Sequence, residues 1–152
     1  MADTDTAQFD QFLAHTRVRL ARAFIVAFGS DRGEDALAEA IAYAWANFDR
    51  LSEMQNPVAY LFRVGQSRTR AQRRRTLFPP AEHGGIPDIE PGLVSALNSL
   101  SVRQRTCTLL VHAYDWSQVE VAELLGISAS SVHRHIERGM RALRHRIGSI
   151  DD

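Results

Sequence analysis

The sequence predicts an all-α protein of two small helical modules joined by a proline- and glycine-rich linker, the second module a helix-turn-helix. Three observations predict it. Apolar residues recur at helical spacing through most of the 152 residues. That periodicity stops between Thr76 and Gly92, where Pro79, Pro80, Pro87 and Pro91 fall among three glycines. Finally, Trp116–Ile147, WSQVEVAELLGISASSVHRHIERGMRALRHRI, reads as two helices around a glycine turn, with arginines along the outer face of the second.

The first helix is predicted from about Phe9 to Phe28, where Phe9, Phe12, Leu13, Leu20, Phe24 and Phe28 lie near helical spacing. Gly29, Ser30, Asp31 and Gly33 should break it. A second helix, about Glu34 to Leu51, presents Leu37, Ile41, Ala44, Trp45 and Phe48 as one apolar face. The polar segment Ser52–Pro57 follows as a loop. Pro57 suits the first turn of a third helix, which carries Tyr60, Leu61 and Val64 into the basic run RTRAQRRR. These elements form a module spanning residues 8–75, and residues 76–92 are the linker.

The second module spans 93–148. It opens with Leu93–Leu100 and a helix from about Val102 to Tyr114, with Leu109, Leu110 and Ala113 facing inward. Gln118–Leu125 is the first helix of the motif. Gly126 fits the left-handed backbone that closes a helix, and Ser128 is a natural N-cap for the next. In that last helix Val132, Ile136, Met140, Leu143 and Ile147 are spaced 4, 4, 3 and 4 and form the buried stripe. Ser131, Arg134, His135, Arg138 and Arg141 occupy the opposite side.

Composition narrows the function classes. No apolar run approaches the ~20 residues of a membrane span, and MADTDTAQFD is unlike a signal peptide, so no membrane insertion and a cytoplasmic location are expected. The formal net charge is zero, yet the charges are segregated: residues 57–75 hold six arginines and no acid, whereas residues 1–56 hold five arginines against nine acids. All 18 basic residues are arginine. Arginine suits phosphate and guanine recognition, although a GC-rich genome would give the same bias, so the local cluster is the informative feature. Cys107 lies in the apolar run TCTLLV and reads as a small core residue. His133 and His135, two apart on a helix, share no face, so no metal site is expected. With no phosphate-cradling glycine loop and no nucleophile elbow, neither a cofactor nor an enzymatic activity is expected.

The arginine-bearing face of the last helix has a plain reading as a solvated surface. Against it stand the glycine turn, the serine cap and the apolar helix before them. A helix so placed enters the DNA major groove, its first residues reaching base edges. By position those are Ser130, Ser131, Arg134 and His135, with Arg138 and Arg141 meeting phosphate oxygens.

LSVRQRTCTLLVHAYDWSQVEVAELLGISASSVHRHIERGMRALR resembles region 4 of bacterial sigma factors, particularly the extracytoplasmic-function (group 4) class of the sigma-70 family. Leu100, Arg103, Gln104 and Arg105 match the opening of that region. Val121, Ala122, Leu125, Gly126 and Ser128 match the turn, and Val132, His135, Arg138, Gly139 and Leu143 the recognition helix. The resemblance implies binding of the −35 promoter element through Ser130, Ser131, His133, Arg134, His135, Arg138 and Arg141. His133 and Arg134 stand where the family often carries lysine and serine, which points to an individual promoter preference.

GSDRGEDALAEAIAYAWANFDRL is similar to the family's region 2, with Asp35, Glu39, Ala44, Trp45 and Arg50 in matching places. The resemblance assigns Asp35, Glu39, Trp45 and Arg50 to docking on core RNA polymerase (its β′ and β subunits). NPVAYLFRVGQSRTRAQRRR is similar to the stretch that touches the −10 element. The loop residues Ser52, Glu53, Met54, Gln55 and Asn56, with Arg63, Arg68 and Arg70, would engage that strand, and Tyr60 and Phe62 are available for packing. Trp45, Phe48, Tyr60 and Phe62 have the alternative of simple helix–helix packing. Ala40, Ala42, Tyr43 and Gly65-Gln66-Ser67 depart from the family pattern and imply an altered −10 preference.

The resemblance implies promoter DNA, core polymerase and an anti-sigma factor as partners. Two other readings share parts of the pattern. One is a helix-turn-helix transcriptional regulator; the other is a degenerate sigma-like adaptor that does not itself initiate transcription.

Overall fold

The computed structural model describes residues 2–73 and 91–148. Its helices are α1 (Ala2–Phe28), α2 (Ser30–Ala46), α3 (Phe48–Ser52), α4 (Pro57–Arg73), α5 (Pro91–Ser99), α6 (Val102–His112), α7 (Gln118–Leu125) and α8 (Ala129–Gly148). Among the described residues no strand occurs, so the all-α prediction holds. The chain divides into two compact units, Met1–Phe78 and Pro79–Asp152. The body of the expected linker, residues 76–90, lies outside the described residues, as do Arg74 and Arg75.

In the first unit α1, α2 and α4 pack together. Helix α1 begins well before Phe9, at Ala2, with Asp3 and Asp5 in its first turn, where carboxylates favour the positive end of the helix dipole. The break after it is narrower than expected. Gly29 alone leaves the helical region (φ 84°), and Ser30–Gly33 already belong to α2. Asn47 divides the predicted second helix: its backbone departs at φ −128° and its side-chain amide donates to the Tyr43 carbonyl at 2.9 Å.

The buried face of α2 corrects the sequence reading. Gly33, Ala36, Ala40 and Ala44 are buried, whereas Trp45 is 57% exposed and Leu37 and Ile41 are half-buried. The cause is close helix packing. A Cβ on Gly33 would meet the Ile25 backbone at 3.0 Å, so only small residues fit along this seam. The large residues of the core come instead from α1, α3 and α4: Leu20, Phe24, Leu51, Leu61 and Phe62 are fully buried. Phe24 and Phe28 stack on Phe62 with centroids 5.0 and 5.8 Å away. Phe62 is therefore a packing residue.

The second unit gathers α5 to α8. Ala96 and Leu100 pack with Leu143, and Leu93, Leu97, Met140 and Ala142 close around them. A capping box starts α6: the Gln104 N–H donates to Ser101 Oγ at 3.1 Å and the Ser101 N–H to Gln104 Oε1 at 3.3 Å. The inward face of α6 is Thr106, Cys107, Thr108 and Leu110. Leu109 is only half-buried, and Ala113, expected inside, is exposed beyond the helix end. The helix is turned this way because it crosses α8 at Gly139, where a Cβ would stand 2.6 Å from Thr108 Oγ1.

A second box, Ser117 with Glu120, starts α7, and Gly126 ends it in the left-handed conformation (φ 68°, ψ 37°). In α8 Val132, Ile136 and Leu143 are buried as expected and Met140 is half-buried. Ile147 is 40% exposed, because the helix from Arg144 onward runs clear of the core. Among the described residues, no helix is long and apolar enough to cross a membrane.

Candidate nucleic-acid interface

Ser128 sets the start of α8. Its Oγ accepts the Ser131 N–H at 3.1 Å, satisfying one of the unpaired donors of the first turn. The same hydroxyl lies 3.1 Å from Ser130 Oγ and 2.9 Å from Ser131 Oγ. Three hydroxyls and the exposed amide end of a helix thus share one small surface, which suits an anionic neighbour.

Beyond it, Arg134, Arg138 and Arg141 are all exposed, at spacings of four and three that keep them near one face. His133 is exposed and its Nε2 lies 3.3 Å from Glu137 Oε1, one turn on. His135 differs from its neighbours. It is half-buried, and its Nδ1 is enclosed with no hydrogen-bond partner. Burial lowers its pKa, and Arg103, Arg138 and Arg134 lower it further. Arg103 comes from the first turn of α6, so the motif's own helix does not supply every charge at this surface. Sequence reasoning placed Arg103 only in the LSVRQR opening.

In the first unit Ser52, expected to open the loop, is the last residue of α3; it, Glu53 and Gln55 are exposed, and Met54 and Asn56 half-buried. Asn56 has a structural duty: its Oδ1 accepts the Ala59 N–H at 3.1 Å and caps α4. Arg63, Arg68 and Arg70 are exposed on α4, and Asp35, Glu39, Trp45 and Arg50 are exposed on α2 and α3. Trp45 packs one edge against Phe9, with centroids 5.0 Å apart, and leaves the rest of its ring open.

Two residues expected in separate roles meet here. Arg68 Nη1 lies 3.3 Å from Glu39 Oε2, and its guanidinium also sits 5.4 Å from the Tyr43 ring centroid. The Tyr43 and Tyr60 hydroxyls bond each other at 3.1 Å, a contact that, with burial, raises the Tyr43 pKa. Arg50 stands 5.7 Å from the Tyr60 ring centroid. Sequence reasoning missed this tyrosine pair, because 17 residues separate its members and only the α2–α4 packing brings them together.

Gly65, which departs from the family pattern, has a packing reason. A Cβ there would collide with the Phe24 ring and stand 2.6 Å from the Ala36 carbonyl oxygen. Among the described residues no group of three or more His, Cys, Asp or Glu side chains is placed to hold a metal ion.

Residues 92–143, which contain this cap, turn and arginine row, match the family described as Sigma-70, region 4. The second unit is therefore similar to sigma-70 region 4 over those residues. The whole chain also has the fold of a solved structure, the sigma factor RpoE in complex with the anti-sigma factor NepR from Bartonella quintana. That match has a TM-score of 0.68 at 22% identity and covers 93% of this chain and 97% of the other. Among curated proteins none matches the chain in sequence.

Proposed function

We propose that this chain is a sigma factor of the extracytoplasmic-function class, which binds core RNA polymerase and directs it to specific promoters. The observation that carries the reading is the exposed row Arg134, Arg138 and Arg141 on the capped second helix of a region 4 module. Such a helix fits the major groove of the −35 element, where Ser130, Ser131, His133, Arg134 and His135 near its start meet base edges and Arg138 and Arg141 meet phosphates.

The first unit would serve the −10 element and the polymerase. Its loop 52–56, with Arg63, Arg68 and Arg70, offers cations and polar groups to an unpaired strand. Asp35, Glu39, Trp45 and Arg50 would dock on the β′ subunit, with β contacted elsewhere. The structural neighbour RpoE was solved with an anti-sigma factor, and we propose a partner of the same kind for this chain.

The test is transcription in a purified system. The full chain is added to core polymerase with a library of genomic promoters from its source, and transcript starts are mapped. Defined starts that disappear on Arg134→Ala are expected. Core polymerase that neither co-purifies with the chain nor initiates in its presence would sink the proposal.

A further inference from the structure

His135 is the one residue of the candidate groove surface whose ring is partly sealed by its own module. A neutral imidazole carries one N–H and one bare nitrogen, and which is which decides whether it gives or accepts a hydrogen bond. Here Nδ1 is enclosed without a partner. An enclosed N–H left unpaired is rarer in folded proteins than an under-satisfied acceptor, so the proton belongs on Nε2, the nitrogen left for the surroundings. Burial first, and the surrounding charges after it, favour a ring with a single proton. Arg103 from α6, with Arg134 and Arg138 on α8, all oppose a second proton on the ring.

Helices α6 and α8 approach closely one turn further on. At Gly139, one turn after His135, a Cβ would stand 3.5 Å from the Gln104 carbonyl oxygen and 3.7 Å from Gln104 Cβ. Arg103 precedes that residue directly and is itself exposed.

We propose that His135 is a specificity-determining residue that presents a fixed Nε2–H donor to an acceptor atom on a base edge. The acceptors a major groove offers are purine N7, guanine O6 and thymine O4, while the amino groups of adenine and cytosine are donors and are refused. Arginine at the same place would give several donors and a full charge, and so would hold phosphate and base alike. A single neutral donor reads one acceptor and adds no general affinity. This inference rests on the reading of α8 as the −35 helix, although its chemistry can be tested without DNA.

The first measurement is the imidazole tautomer in the full chain, by nitrogen-15 NMR at neutral pH, with His135→Gln to assign the signal. The Nε2–H form is expected, with a titration midpoint below that of an ordinary histidine that rises in Arg103→Gln. An Nδ1–H form or a charged ring at neutral pH would overturn the proposal and leave the sigma-factor reading untouched. The second measurement uses a duplex selected by the full chain, with 7-deazapurines, 6-thioguanine or 4-thiothymine replacing each base in turn. One replacement should weaken binding about fivefold, the worth of about one hydrogen bond, and should cost nothing further in His135→Phe. If every replacement affects both proteins equally while Arg134→Ala still abolishes binding, His135 reads no base. If no duplex is bound at all, the −35 reading fails and the base-edge role with it.

Discussion

Arg68 of α4 and Glu39 of α2 form an ion pair across the small-residue seam of the first unit, Nη1 to Oε2 3.3 Å, with both side chains about half exposed. One was assigned from sequence to the −10 strand and the other to the polymerase. Water surrounds the pair, so its contribution to stability is small, about 0–1 kcal/mol. Glu39→Gln and Arg68→Gln should each shift the urea midpoint of unfolding only slightly. Their effects on function should separate: Glu39→Gln weakens assembly with core polymerase, and Arg68→Gln weakens open-promoter formation after assembly. A loss of several kcal/mol in either variant would show that the pair is structural.

Gly65 supplies the opposite case, a residue whose importance is stability. Its Cα side faces the Phe24 ring and the Ala36 carbonyl, and a methyl group finds backbone oxygen 2.6 Å away. Since that oxygen belongs to α2, the helices must separate to admit it. Gly65→Ala should destabilise the first unit by about 1–3 kcal/mol, read by thermal or urea unfolding. The second unit's resonances should stay unchanged in NMR spectra of the full chain. An unchanged melting temperature would mean that the seam relaxes more easily than its contacts suggest.

The same seam explains what sequence could and could not reveal. The turn from α7 to α8 was legible because its signals are local: Gly126 closes one helix and Ser128 caps the next, each acting on residues within one turn. The buried face of α2 was not. Periodicity selected Ala44 correctly but Trp45 with it, and it passed over Gly33, Ala36 and Ala40, which make the rest of the contact and carry little hydrophobic signal of their own. Their burial depends on α1 and α4 approaching closely, a fact written elsewhere in the chain. The start of α1 was hidden likewise, since Ala2–Gln8 is exposed wherever the structure describes its side chains and so shows no apolar stripe. At the candidate interface the outward arginines of α8 were legible from spacing. The partial burial of His135 and the influence of Arg103 from α6 were not, because spacing along α8 records neither.

Ser128 offers a way to divide the stability of the recognition helix from its charge. Its Oγ caps the Ser131 N–H at 3.1 Å. Ser128→Ala should cost about 1 kcal/mol and weaken duplex binding. Ser128→Asp keeps a cap, so stability should return to near the original value. A carboxylate beside phosphates repels them, however, and DNA binding should stay weak, with the deficit shrinking as salt is raised. Recovery of full binding in Ser128→Asp would place the DNA backbone away from this end of the helix.

Cys107 sets a pH limit on the second unit. It is wholly buried in α6, and burial pushes its thiol from an ordinary 9.0 up to about 11, against a smaller opposing pull from Arg103. An acid kept neutral by the fold holds its proton to higher pH than the unfolded chain does. The stability it supports is therefore complete below about 9 and falls as pH rises from there toward about 11, by roughly 2 kcal/mol in all. Chemical unfolding of the full chain from about pH 8 to about pH 11 should show the decline in the wild type and lose this component in Cys107→Ala, which is less stable throughout because of the cavity left behind. In the native chain the thiol should react with a maleimide only at the rate at which the unit opens. Rapid labelling at neutral pH without unfolding would contradict the buried, protonated state.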